Sequence, residues 1–142
     1  MSLTNAWTNA WNRAKKGNTM AKLLLVEDDE QVRTMLGETL RDEGYDVVEA
    51  VNGREAVERY RDCPCDLVIM DIIMPEKDGV EAIHALRREF PDTKVIAISG
   101  GSPHIKGDYL LGTAQALGAI KTFAKPVDIA GLLETVEEVV GR

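Results

Sequence analysis

The segment Leu67-Val68-Ile69-Met70-Asp71 indicates the fold class, because four apolar residues run without interruption into a single carboxylate. Pro64 precedes this run and Pro75 follows it. A short apolar run between such turn residues predicts a strand buried on both faces, as in a parallel sheet. Asp71 then lies at the carboxyl end of that strand, where open α/β sheets place their ligands. The sequence therefore predicts that Asp71 is a chemically active carboxylate.

Apolar runs recur five times along the chain, and apolar residues at helical spacing follow each run. The predicted strands are Leu23–Val26, Tyr45–Ala50, Leu67–Asp71, Val95–Ile98 and Thr122–Ala124. The predicted helices pass through Val32–Leu40, Ala56–Tyr60, Val80–Leu86, Tyr109–Leu117 and Ile129–Val140, with Asp128 as the cap of the final helix. Strands that alternate with helices predict an α/β fold, in which helices cover both faces of a parallel sheet.

The composition is that of one globular domain that works in water. The 142 residues are 44% hydrophobic and 29% charged, and the net charge is −7. A negative surface argues against direct binding to nucleic acid or to anionic membranes. No apolar run approaches the roughly 20 residues that cross a bilayer, and the N-terminus lacks the apolar core of a signal peptide. We therefore expect a cytoplasmic protein.

Residues 1–19 differ in character from the rest and are predicted to form an N-terminal extension, with the compact domain spanning residues 20–142. Trp7 and Trp11 are four residues apart, so a helix would place both rings on one face. The extension is either poorly ordered or a short helix that docks on the domain or on a second copy. Cys63 and Cys65 have no further Cys or His at zinc-ligand spacing nearby and are expected to be reduced loop thiols.

Polar side chains follow the predicted strands at the points where the strands end. These are Glu27 and Asp28 after the first strand, Asp71 after the third, Ser99 after the fourth and Lys125 after the fifth. Because the carboxyl ends of parallel strands share one edge, we expect these side chains to lie together. Carboxylates that crowd together repel, and Mg²⁺ relieves that repulsion with oxygen ligands. A hydroxyl, glycine N–H groups and a lysine suit phosphate oxygens, so the set predicts phosphoryl transfer to a carboxylate.

Four motifs now carry a resemblance to a known family. They are Leu25-Val26-Glu27-Asp28-Asp29, the segment Leu67–Pro75 with Asp78-Gly79, Ala97-Ile98-Ser99-Gly100, and Lys125-Pro126. In this order and spacing the chain resembles the receiver domain of two-component response regulators from about Ala21 to Arg142. The resemblance implies a flavodoxin-like fold with strand order 2-1-3-4-5.

The resemblance also implies a function and a role for each site residue. Asp71 would accept a phosphoryl group from a histidine kinase or a phosphotransfer protein. The metal site for Mg²⁺ would comprise Glu27, Asp28, Asp71 and the backbone carbonyl of Ile73. Lys125, Ser99 and the N–H of Gly100 would bind the phosphoryl oxygens. Output would pass through protein contacts, including a homodimer through the face of the Tyr109–Leu117 helix, the fifth strand and the final helix.

The sequence departs from the family pattern at two places. Thr122 stands where many members carry an aromatic ring that moves on activation, and the loop Gly100–Asp108 is longer than expected. Two alternative functions remain open. The chain could be the receiver part of a longer transcription factor or hybrid kinase. A metal-dependent aspartyl phosphatase is disfavoured, because Ile73 stands where a second acid would be needed. We expect a phosphoacceptor that does not turn over a small substrate as an enzyme.

Overall fold

The computed structural model describes residues 21–72, 79–99, 115–116 and 118–140, and its centre is a parallel sheet of five strands. The strands are β1 (Lys22–Val26), β2 (Asp46–Ala50), β3 (Leu67–Asp71), β4 (Val95–Ser99) and β5 (Lys121–Ala124). Their order in the sheet is β2-β1-β3-β4-β5, and every neighbouring pair is parallel. The predicted fold class and strand order are confirmed.

Helices cover both faces of the sheet. They are α1 (Glu30–Asp42), α2 (Gly53–Asp62), α3 (Gly79–Glu89) and α4 (Ile129–Val140). Buried residues of α1 and α4 belong to one apolar cluster, whereas those of α2 and α3 belong to the other. Of the predicted Tyr109–Leu117 helix, only Gln115 and Ala116 are described, and both are helical. Residues 1–20, with the predicted extension, lie outside the described part of the chain.

Strand β3 is buried along its whole length, as its sequence predicts. Successive side chains of a strand point to opposite faces. Val68 and Met70 accordingly join the cluster under α2 and α3, while Leu67 and Ile69 join the cluster under α1 and α4. The edge strands β2 and β5 are more exposed. Asp71 is thus delivered to the edge of the sheet by a strand packed on both sides.

The turn after β1 is short because a helix begins almost at once. Asp29 caps α1, and its carboxylate accepts the N–H groups of Gln31 at 2.9 Å and Val32 at 3.1 Å. This side-chain cap satisfies donors that the first helical turn leaves unpaired. The cap therefore fixes the backbone immediately after Glu27 and Asp28, where α1 begins.

Two details differ from the sequence prediction. Met35 falls at helical spacing with the apolar face of α1, yet 44% of it is exposed. The residues of α1 that pack into the core are Leu36 and Leu40, with Val32 beside them. Strand β2 begins at Asp46 rather than Tyr45, since the Tyr45 N–H donates to the Leu40 carbonyl at the end of α1. Among the described residues, no helix combines the length and apolar character needed to span a membrane.

Candidate functional site at the carboxyl edge of the sheet

The register of the sheet brings four strand ends to one edge. Val26 lies opposite Met70, so Glu27 follows β1 at the level where Asp71 ends β3. Ser99 ends β4 opposite Ala124, and the next N–H, that of Lys125, donates to the Ser99 carbonyl at 3.0 Å. The predicted gathering of these side chains follows from parallel pairing in this register.

Three carboxylates form a cluster at this edge, which we call the acidic pocket: Glu27, Asp28 and Asp71. Oxygen atoms from the three side chains lie within 4.8 Å of one another. Glu27 is 1% exposed and Asp71 is 4% exposed, whereas Asp28 faces solvent. The pocket therefore has two buried walls and one open side.

Lys125 bridges the two buried carboxylates. Its Nζ lies 3.0 Å from Asp71 Oδ2 and 2.9 Å from Glu27 Oε1. The strand ends predicted that Lys125 lies near both carboxylates, and the resemblance implied its pairing with Asp71, but neither predicted the direct ion pair with Glu27. A half-buried ammonium held between two carboxylates is fixed in position, since each hydrogen bond restricts a flexible side chain.

Burial and the neighbouring charges perturb the protonation of these groups. The pKa of Glu27 is raised to about 7, chiefly by burial and next by the hydrogen bond that protonated Glu27 donates to Asp71, while the hydrogen bond from Lys125 lowers it. Burial works to lower the pKa of the Lys125 ammonium, but its bonds to Glu27 and Asp71 outweigh burial, so its pKa is raised. Lys125 therefore remains a cation, while Glu27 is poised to lose a proton near neutral pH.

The charge balance of the pocket suits a divalent cation. When all three carboxylates are ionised, they and the one ammonium leave two net negative charges in a pocket where Glu27 and Asp71 are buried. Such a charge is costly to bury unless a counter-ion offsets it. All the side-chain donors of the pocket are carboxylate oxygens, the hard ligands that Mg²⁺ and similar ions prefer. The residues present thus fit a bound divalent metal.

Some of the remaining predicted site residues lie within the described part of the chain and others lie outside it. Ser99 is fully buried at the end of β4. Ile73 and Gly100, expected to contribute a carbonyl and an N–H, lie outside the described residues. Thr122 is half-buried in β5 opposite Ala97, and the neighbouring Phe123 packs into the cluster under α1 and α4.

Arg33 is a residue of this region that the sequence analysis did not single out. Its Nη1 donates to the backbone carbonyl of Glu27 at 2.9 Å, and its Nε lies 3.2 Å from Glu49 Oε1. The available signal was its place four residues after the cap Asp29, one turn into a helix that starts at the site. That spacing alone does not distinguish it from a solvated surface arginine.

Comparison with known proteins agrees with this geometry. The family model described as the response regulator receiver domain matches residues 23–137. The chemotaxis protein CheY of Listeria monocytogenes is 37% identical over 120 residues, which cover 84% of this chain and 98% of that protein. The transcriptional regulatory protein PdtaR of Mycobacterium tuberculosis is 37% identical over 124 residues, which cover 85% of this chain and 57% of that protein.

A solved structure provides a further likeness. The CheX–CheY–BeF3–Mg²⁺ complex of Borrelia burgdorferi contains a chain that matches with a TM-score of 0.76 and 27% identity, covering 89% of this chain and 92% of that one. The family match covers the five strands, apart from Lys22 at the start of β1, together with the acidic pocket. This chain therefore belongs to the response regulator receiver domains of two-component systems.

Proposed function

We propose that Asp71 accepts a phosphoryl group from a phosphohistidine on a histidine kinase or a phosphotransfer protein. The observation that carries this proposal is the position of Asp71. Its carboxylate is buried within the acidic pocket and lies 3.0 Å from the Lys125 ammonium. A carboxylate with a metal site on one side and a fixed cation on the other is equipped to receive a phosphoryl group.

The transfer exchanges one bond to phosphorus for another. A carboxylate oxygen of Asp71 attacks phosphorus, the bond from phosphorus to the donor imidazole nitrogen breaks, and an acyl phosphate forms on Asp71. Lys125 neutralises negative charge on the transferred oxygens, because its ammonium already lies beside the accepting carboxylate. The Ser99 hydroxyl and the Gly100 N–H are proposed to bind those oxygens after transfer.

Mg²⁺ is the cofactor proposed for this site. Glu27, Asp28 and Asp71 would hold it with the backbone carbonyl of Ile73. When bound, Mg²⁺ supplies positive charge that offsets the pocket and stabilises the phosphoryl oxygens. The pocket's own contribution is to keep Glu27 and Asp71 close and largely out of water.

The proposed output is a contact with other proteins rather than release of a product. The Borrelia burgdorferi CheY relative was solved in complex with CheX, BeF3 and Mg²⁺, which supports protein partners for this family. For this chain we propose a kinase or phosphotransfer protein as the donor. A homodimer through the face that includes β5 and α4 stays a prediction, as does the cytoplasmic location.

One relative supports the alternative in which the receiver domain is part of a longer regulatory protein. PdtaR is matched over only 57% of its length, so a receiver of this kind occurs within a longer regulatory protein. This chain could likewise act as the receiver part of a larger regulator, with the same chemistry at Asp71. The alternative of a true aspartyl phosphatase has no such support.

The test is to incubate the protein with Mg²⁺ and acetyl phosphate and to measure its intact mass. We expect one phosphoryl adduct on the wild type and none in the presence of excess EDTA. Asp71→Asn is the matched variant, because it keeps the shape of the side chain and removes the nucleophile. An undiminished adduct on Asp71→Asn, or no adduct on the wild type, would overturn the assignment.

A further inference from the structure

We infer that Arg33 is a positioning residue for the acidic pocket: it holds the backbone of Glu27, and with it the turn that carries Glu27 and Asp28. This inference rests on the proposed Mg²⁺ site. Arg33 lies in the first turn of α1, and its own N–H donates to the Asp29 carbonyl at 2.8 Å. From there its guanidinium turns back to the Glu27 carbonyl. The side chain thus spans the turn between β1 and α1.

The turn is held at several points besides Arg33. The Glu27 N–H donates to the Ala50 carbonyl at 3.1 Å, and the Asp29 N–H donates to Glu27 Oε2 at 3.2 Å. Arg33 adds a side-chain hydrogen bond to the Glu27 carbonyl, which belongs to the peptide group between Glu27 and Asp28. Because Asp28 faces solvent, its direction depends on the backbone on either side. Fixing this carbonyl therefore limits where the exposed metal ligand can point.

Glu49 on β2 holds Arg33 in this position. Its Oε1 lies 3.2 Å from Arg33 Nε, while its Oε2 lies 2.9 Å from Arg41 Nη2. Arg33, Gly37 and Arg41 are spaced four apart on one face of α1. A Cβ at Gly37 would come within 3.1 Å of both Arg41 Nη1 and Glu49 Oε2. The absence of a side chain at Gly37 leaves room for the Glu49 carboxylate to form ion pairs with both Arg33 and Arg41.

The chemistry of arginine suits this role better than that of lysine. The Arg33 side chain is only 15% exposed and uses two different nitrogens for two acceptors. The planar guanidinium presents donors in a fixed fork, whereas a lysine ammonium is a single point at the end of a flexible stem. Arg33 can therefore join β2 to the metal-binding turn, and Arg41 cannot, because its contacts go to Glu49 and the Val47 carbonyl.

The test compares Arg33→Met with Arg41→Met. The Arg41 variant removes the other ion pair of Glu49 but no contact with the turn that carries Glu27 and Asp28. We expect Arg33→Met to weaken Mg²⁺ binding, measured by calorimetry, by about tenfold, the lower range for an outer partner of a metal site. Arg41→Met should stay within about twofold of the wild type. Arg33→Lys should restore part of the lost affinity.

A metal-free measurement separates this inference from the proposed function. In EDTA, hydrogen exchange at the Glu27 and Asp29 amides should accelerate in Arg33→Met and not in Arg41→Met. If both variants lose Mg²⁺ affinity and exchange protection equally, Arg33 has only a general stabilising role, and the inference is wrong. A wild-type protein that neither binds Mg²⁺ nor accepts a phosphoryl group would instead overturn the proposed function, and the exchange comparison would still decide the role of Arg33.

Discussion

Glu27 and Asp28 are neighbours in sequence, but they occupy different environments. Glu27 is buried beside Asp71 and Lys125, and Asp28 lies in solvent. Burial is the largest cause of the raised pKa of Glu27, which reaches about 7. Because this pKa exceeds the ordinary value of 4.5, the proton on Glu27 stabilises the metal-free fold at low pH, and that contribution is lost as the pH rises through 7.

Binding of Mg²⁺ should therefore depend on pH in the opposite sense. A metal must displace the proton from Glu27, so we expect Mg²⁺ affinity to rise with pH up to about 7 and then level off. Well below pH 7, each unit of pH should change the affinity by roughly tenfold, as for release of one proton. Calorimetry at several pH values, in buffers of different ionisation enthalpy, measures both the affinity and the protons released.

Glu27→Gln is the control for this pH dependence. The amide cannot titrate, so the variant should bind Mg²⁺ more weakly and with little dependence on pH between 6 and 8, values that bracket the pKa of Glu27. A wild-type affinity that is flat over the same range would contradict the raised pKa of Glu27.

At the scale of the elements, the start of α3 is pressed against the end of β3. A Cβ on Gly79 would lie 2.3 Å from Ile72 Cα and 2.5 Å from the Asp71 carbonyl oxygen. Both are backbone atoms, so the contact cannot be relieved by a side-chain rotation. Glycine at this position lets the helix approach the strand that carries the proposed phosphoacceptor.

Gly79→Ala should therefore lower the free energy of unfolding by about 1–3 kcal/mol, the usual cost of overpacking. It should also slow labelling by acetyl phosphate, because any relief displaces the backbone of Asp71. Urea unfolding and the rate of adduct formation measure the two effects. Gly37→Ala is the matched control for stability, since the three nearest atoms to its Cβ belong to the ends of the Arg41 and Glu49 side chains. Equal stability losses in the two variants would contradict this account.

At the scale of the whole molecule, stability rests on two apolar clusters separated by the sheet. Ile69 and Met70 are adjacent in β3, fully buried, and belong to opposite clusters. In a sheet with one face exposed to solvent, one of two adjacent strand residues would be exposed. Here both faces are covered by helices, so each side chain contributes to a packed interior.

Ile69→Ala and Met70→Ala should each lower the free energy of unfolding by about 2–5 kcal/mol, the cost of truncating a fully buried side chain. Val48→Ala, on the half-buried edge strand β2, should cost clearly less. Urea unfolding followed by circular dichroism measures all three variants. A near-neutral result for either β3 variant would mean that one face of the sheet is not packed as described.

Much of this molecule could be predicted from local patterns. The apolar run of β3, the helical spacing of Leu36 and Leu40, and the polar residues that end the strands all have a fixed period or position in the chain. Since parallel strands share one carboxyl edge, these patterns also place Glu27, Asp71 and Lys125 together. The α/β class and the residues of the acidic pocket could therefore be predicted from these patterns, and the resemblance to receivers supplied the strand order.

The environment and the partners of each pocket residue follow from the three-dimensional packing and could not be predicted from the sequence. Burial of Glu27, exposure of Asp28 and the second bond of Lys125 depend on how closely β1, β3 and β5 approach. The ion pair between Glu49 and Arg33 likewise depends on the register between β1 and β2 and on the space at Gly37. Such contacts join residues distant in the chain, and a periodic pattern does not encode which of several helical arginines will make them.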